Sequence, residues 1–382
     1  MTTAADATPP GLGTVLREWG RIGCVGFGGP PAHIRLLRRL CVERRGWVGA
    51  DEFEDAIATC NLLPGPSSTQ MAIFTAWRVR AGAGAVVGGL AFIVPGLVLI
   101  LLLSALFLGA PPDWVLGAGA GAGAAVAAVA VQAGWALVPS SWRRASSRPR
   151  WGAYAVAGAA AAAFIGPWVV LVIVGAGAVE LAWRRPPRQA LSVVVWPLAA
   201  KATLGAGVVL PLAWTALKVG ALSYGGGFVI IPLMQDDATG HGWMTSAEFL
   251  NAVALGQVTP GPVVHTVAVV GYAAGGVLGG LLAAAVAFGP SFVFVLAGGR
   301  HFDRLRRSPV ARAFLDGAGP AAVGAILGSA VPLARALAEP WQWGVLAGAG
   351  VLLLPLRRGV VLTLLLAGAV GVVVALAGGP LP

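Results

Sequence analysis

Two tripeptides stand out for what their backbone could bind. They are Pro64-Gly65-Pro66 and, 196 residues later, Pro260-Gly261-Pro262. Proline carries no amide hydrogen and disfavours helix at the residue before it. A helix arriving at Leu63 must therefore stop, and Pro66 suits the first position of a new helix. The amides of Ser67, Ser68 and Thr69 would then be unpaired donors at a positive helix end, an arrangement that binds anions. By the same argument the second tripeptide frees the amides of Val263, Val264 and His265. Gln70 extends the polar run after the first break, and Thr259 stands just before the second. Asn61 and Gln257 occupy matching positions ahead of the two breaks and could donate as well.

Glycine-rich segments form a second pair. Gly28-Gly29-Pro30 is expected to open another helix and present Ala32 and His33, Pro31 having no donor. Its counterpart Gly225-Gly226-Gly227 lacks the proline and reads as a more flexible break. His33 and His265 are candidate proton carriers because histidine alone changes charge near neutral pH without special tuning. No side chain reads as catalytic. The chain has no Walker A, GxSxG or HExxH motif, and its four His and three Cys are too dispersed for a metal site or a disulfide framework. No cofactor is expected.

The elements that must hold these breaks are set by composition. Of 382 residues, 57% are hydrophobic and only 11% charged, with a mean hydropathy of +0.82. Soluble domains carry about a quarter charged residues. A soluble enzyme, a nucleic-acid-binding domain and a disordered chain are all excluded. Long continuous apolar runs, as opposed to ten-residue alternations, point to an all-α integral membrane protein in contact with lipid. The clearest runs are 81–110, 114–139, 276–299, 313–338, 341–356 and 360–378. Residues 151–183 are too long for one untilted span and carry a Gly166-Pro167 break, so two short antiparallel spans are expected. Stretches 12–30, 53–76, 207–234 and 249–272 are apolar but interrupted by Gly and Pro, and read as broken or re-entrant segments. The total is about 10–13 spans. The net charge of +11 comes from 26 basic residues clustered between apolar runs, as the positive-inside rule arranges them. Residues 1–10 read as a tail with no cleavable signal.

The chain repeats itself once. Besides the two breaks, Gly46-Trp47 matches Gly242-Trp243, Glu52-Phe53 matches Glu248-Phe249, and Pro95 falls opposite Pro290. Corresponding loops carry opposite charge. Arg35, Arg38, Arg39, Arg44 and Arg45 face Asp236, Asp237 and His241, and the loop near Asp113 faces Arg300, Arg304, Arg306, Arg307 and Arg312. Sign reversal at matched positions predicts an inverted-topology repeat. The expected organisation is a tail 1–10, a first repeat 11–188, a connection 189–206 and a second repeat 207–382.

These motifs resemble the chromate ion transporter family. The resemblance rests on Phe27-Gly28-Gly29-Pro30 with Ala32-His33, Val42-Glu43-Arg44-Arg45 before Trp47, and Leu63-Pro64-Gly65-Pro66 with Gln70. In the second half it rests on Tyr224 to Pro232, Gly242-Trp243, Ala254 to Pro262, Gly289-Pro290-Ser291-Phe292 and Arg312 to Gly317. It implies a secondary active exporter of chromate, a tetrahedral dianion with which sulfate would compete or exchange. It places the protein in the bacterial inner membrane as a multi-pass transporter conferring chromate resistance, either driven by proton motive force or working as an antiporter by anion exchange. A passive anion channel, a transporter of another oxyanion such as sulfate, and assembly as a homodimer are compatible with the same residues.

Overall fold

The computed structural model describes residues 10–60, 65–109, 111–184, 207–223, 230–298 and 308–382. Among them every regular element is helical. The first half comprises α1 (Leu12–Val25), α2 (Pro30–Arg38), α3 (Ala50–Cys60), α4 (Ser67–Phe107), α5 (Asp113–Ala124), α6 (Val126–Arg144), α7 (Arg148–Phe164) and α8 (Val169–Arg184). The second comprises α9 (Val209–Leu222), α10 (Ile230–Gly240), α11 (Ser246–Val258), α12 (Thr266–Gly298), α13 (Pro309–Gly328), α14 (Ala330–Arg335), α15 (Pro340–Leu353) and α16 (Val360–Leu376). Asn61, Pro64, Gly225, Gly226, Gly227 and Lys201 lie outside the described residues.

Four stretches are long and apolar enough to cross a membrane: 67–107, 113–144, 263–298 and 309–335. Their outward faces are apolar. On α4, Leu90, Val94, Val98, Leu102 and Leu106 recur every fourth residue and are exposed. Such a stripe would be an aggregation hazard in water and is what hydrocarbon chains cover.

α4 is not one rod. Arg80 (φ −144°, ψ 30°) and Ala81 (φ 50°, ψ −145°) break it into arms 67–79 and 82–107. The arms fold back on each other, since a Cβ at Gly84 would overlap the Ala76 carbonyl and one at Gly89 would lie 2.8 Å from Ile73 Cγ1. α12 repeats the device at Gly275 (φ −157°, ψ 30°) and Gly276 (φ 62°, ψ −154°), with Gly271 against the Gly279 carbonyl. The long arms match the expected runs 81–110 and 276–299. The short arms belong with α3 and α11, as the interrupted stretches 53–76 and 249–272 require.

The span 151–183 divides as the Gly166 break predicts. α7 and α8 are antiparallel, because Glu180 near the end of α8 meets Ser146, Arg150 and Tyr154 at the start of α7. Glycines let the halves interlock. α13 lies on α7 and α8, where a Cβ at Gly158, Gly317, Gly324 or Gly328 would overlap a facing backbone carbonyl. α16 lies on α5 the same way through Gly117, Gly121 and Gly371. Close backbone approach through small residues is how membrane helices gain packing energy without a hydrophobic drive. Arg184 adds a polar tie between halves by donating to Asp316 at 2.6 Å.

Tryptophans divide by position. Trp114, Trp135, Trp142, Trp168, Trp183 and Trp343 are exposed, as interface anchors would be. Trp19 is fully buried, stacks on Trp47 and donates from Nε1 to Ala72 O at 2.8 Å, fastening α1 to the short arm of α4.

Candidate anion site at the paired helix breaks

The first break places Pro66 as the residue capping α4 (φ −71°, ψ 104°), with Ser67 the first helical residue, one position later than expected. Gln70 N donates to Pro66 O at 3.0 Å, so the amides of Ser67, Ser68 and Thr69 precede the helix's own ladder. All four of these polar residues are buried. Thr69 Oγ1 has no hydrogen-bond partner among the described residues. Gly65 holds φ +115°, a conformation glycine adopts readily and other residues do not. A Cβ there would lie 2.8 Å from Gln70 Nε2, 3.2 Å from Gly220 O and 3.3 Å from Ser291 Oγ. Ser291, on α12 one residue after Pro290, is fully buried and its hydroxyl has no partner among the described residues. It is absent from the sequence-based site. The signal available was its position directly after the proline matched to Pro95.

At the second break the donors are differently spent. His265 N donates to Pro262 O at 2.9 Å in a 3-10 turn over Val263–His265, so of the three amides expected to be free only Val263 and Val264 are. Gly261 N donates to Gly26 O at 2.9 Å, tying the second half's break to the first half's glycine-rich loop. Thr259 Oγ1 donates back to Leu255 O, and Thr266 Oγ1 to Val263 O. Gln257 Nε2 is buried without a partner among the described residues.

The Gly28-Gly29-Pro30 loop also departs from expectation. Gly28 and Gly29 take φ +96° and +71°, and α2 starts at Pro30 as predicted. The amides of Ala32 and His33, however, both donate to Gly29 O, so this helix end offers no free donor beyond the glycines. His33 Nε2 lies 2.8 Å from Gly26 O. A carbonyl can only accept, so Nε2 carries the proton and Nδ1 is the lone-pair side, buried and without a partner among the described residues. His33 packs edge-on against Phe92, and His265 against Phe288. Both rings are fully buried. Lys218, apolar in its sequence surroundings, is neutralised by Asp237 at 2.5 Å, and Thr215 Oγ1 donates to the same carboxylate at 2.6 Å.

Two re-entrant breaks, each seated against the kinked long helix of the other half, thus enclose buried hydroxyls and helix-end amides in a lipid-facing bundle. A sequence profile described as "Chromate transporter" matches residues 13–181 and 210–372. The chain belongs to the chromate transporter family. Similar proteins include a chromate transport protein of Pseudomonas aeruginosa, 30% identical over 370 residues that cover 88% of this chain and 85% of the relative. Another is a chromate transport protein of Cupriavidus metallidurans, 29% identical with 87% and 86% covered. A probable chromate transport protein of Synechococcus elongatus is 29% identical, with 82% of each chain covered. No solved structure matches the chain. As a member of a transporter family it is a multi-pass membrane transporter.

Proposed function

We propose that the protein is a secondary active exporter that moves chromate out of the cytoplasm across the bacterial inner membrane. One observation carries this reading: the helix-end amides of Ser67, Ser68 and Thr69 precede their helix's ladder in a buried break where the Thr69 and Ser291 hydroxyls also lack partners among the described residues, and unsatisfied donors there are costly unless a ligand or water answers them. A tetrahedral dianion supplies four acceptors to such donors. Sulfate has the same shape and charge and competes.

The two halves form an inverted-topology repeat in this reading. Charge reversal at matched loops supports it, as do the near-identical backbone angles at Arg80-Ala81 and Gly275-Gly276 and the 197-residue offset between the two profile matches. The interlocked α5, α7, α8, α13 and α16 serve as the frame, and the broken elements α1 to α4 and α9 to α12 move against it. His33 and His265 carry the coupling proton. Both rings are fully buried, and each has a ring nitrogen without a partner among the described residues.

The test is chromate uptake into everted vesicles, with an uncoupler and with competing sulfate. Accumulation above equilibrium that the uncoupler abolishes is expected. Equilibration without accumulation makes the protein a passive channel, and no chromate flux from inserted protein overturns the substrate.

A further inference from the structure

The repeat makes four positions comparable around the two breaks, and they differ in a reciprocal way. Thr69 in the first half corresponds to His265 in the second, and Gly96 corresponds to Ser291. Each break faces the long helix of the opposite half. The first break brings Gly65, four residues before Thr69, against Ser291, while the second brings His265 against Gly96.

The consequences for space and polarity are opposite. At the first break two fully buried hydroxyls, Thr69 Oγ1 and Ser291 Oγ, have no partner among the described residues. Ser291 Oγ approaches to 3.3 Å from the position of a Gly65 Cβ, so it points at the break itself. At the second break that place is filled. The His265 ring sits 2.9 Å from a Cβ position on Gly261 and 2.7 Å from one on Gly96, and the Pro260 carbonyl crowds Gly96 as well. The residues that follow Pro262 there are Val263 and Val264, which have no hydroxyl, and the Gly261 amide is already used by Gly26 O. A dianion meeting the second break would face a carbonyl oxygen, an imidazole and only the two free amides of Val263 and Val264. At the first it meets two hydroxyls and three helix-end amides.

We infer that each chain holds a single anion site, at the first break, and that Ser291 is a ligand of it contributed by the opposite half. The inference rests on the proposed transport reading and narrows it. Gly96 is small because the imidazole must fit at the second break, and Ser291 is polar because the anion must be held at the first. A ligand donated from the opposite half also ties the anion to both repeats, through the long helix of α12 and the short arm of α4.

The experiment compares Ser291→Ala, Ser291→Gly and Ser291→Thr in everted vesicles, and counts bound chromate by equilibrium dialysis of purified protein. Loss of one hydrogen bond to a charged ligand should raise the half-saturating chromate concentration about tenfold in the Ala and Gly variants. Their maximal rate should stay near the parental value, Thr should restore affinity, and the parent should bind one chromate per chain. Parental half-saturation in an inserted Ala or Gly variant removes Ser291 from the site, and two chromates per chain overturn the single-site assignment. Pro66→Ala separates this from the underlying reading. If it abolishes transport while Ser291→Ala is silent, the break still carries the anion and only the Ser291 assignment falls. If both are silent, the break is not the site.

Discussion

Gly65→Ala isolates the contribution of the first break. The substitution acts twice. Alanine at φ +115° is strained, at about 1–3 kcal/mol of stability. Its methyl would also stand 2.8 Å from Gln70 Nε2, 3.2 Å from Gly220 O and 3.3 Å from Ser291 Oγ. The Gly220 backbone cannot yield, because Gly220 is itself packed against the Ala287 carbonyl. The methyl therefore remains between the hydroxyl and the helix end. Displacing the anion from even one charge-assisted hydrogen bond costs about 1.5–3 kcal/mol, roughly a ten- to hundredfold rise in half-saturating chromate. Gly261→Ala is the matched control, with φ +99° and a methyl 2.9 Å from His265 Cε1. It should lose comparable stability and slow the maximal rate, yet keep chromate affinity. Thermal unfolding followed by fluorescence-detected size exclusion reports the stability, and vesicle uptake over a chromate series reports affinity and rate. Parental affinity in a folded Gly65→Ala protein, or equal affinity loss in both variants, refutes the reasoning.

Two further outcomes are expected. Single cysteines at Arg44 and His241, both exposed, should label from opposite sides of the membrane in a cysteine-free background, with Arg44 cytoplasmic; labelling from one side would end the inverted-repeat reading. Asp236 sits over the Gly166 turn while still exposed to solvent, and partial desolvation, together with adjacent Asp237 and against the pull of Lys218, raises its pKa above the ordinary 3.8. A raised carboxyl pKa means the folded state holds the proton longer, so stability falls as pH climbs from about 4 through the folded value. Asp236→Asn should then unfold at a higher temperature than the parent at neutral pH, with the gap closing below pH ~4; a pH-independent gap refutes this.

The interruptions were legible because proline and glycine punctuate a helix wherever it lies. The arms 82–107 and 277–298 and the Gly166 turn followed from apolar run length and breaker position. The fold-back of α4 did not. Val79-Arg80-Ala81-Gly82 contains no proline, and the reversal is imposed by packing of Gly84 and Gly89 on the short arm. Donor counts were half legible. Counting amides after a proline assumes an α-helix follows, whereas a 3-10 turn at Val263–His265 spends one donor early and Gly29 O takes two at α2. Ser291 was hidden for another reason: its meaning comes from the partner across the repeat, and local spacing does not carry that.

The interlocking of α13 with α7 and α8, and of α16 with α5, sets an order on how the molecule is made. Chains are inserted from the N-terminus, so α5, α7 and α8 reach the bilayer long before the helices that cover their glycine faces. Until α13 emerges, the grooves at Gly158 and Gly177 are open to lipid, and Gly117 and Gly121 wait until α16, the last described helix, is released. The first half on its own is thus a bundle with two vacant seams. The frame closes only once α16 has emerged, and a nascent chain interrupted before it would present its α5 seam to any other helix in the membrane.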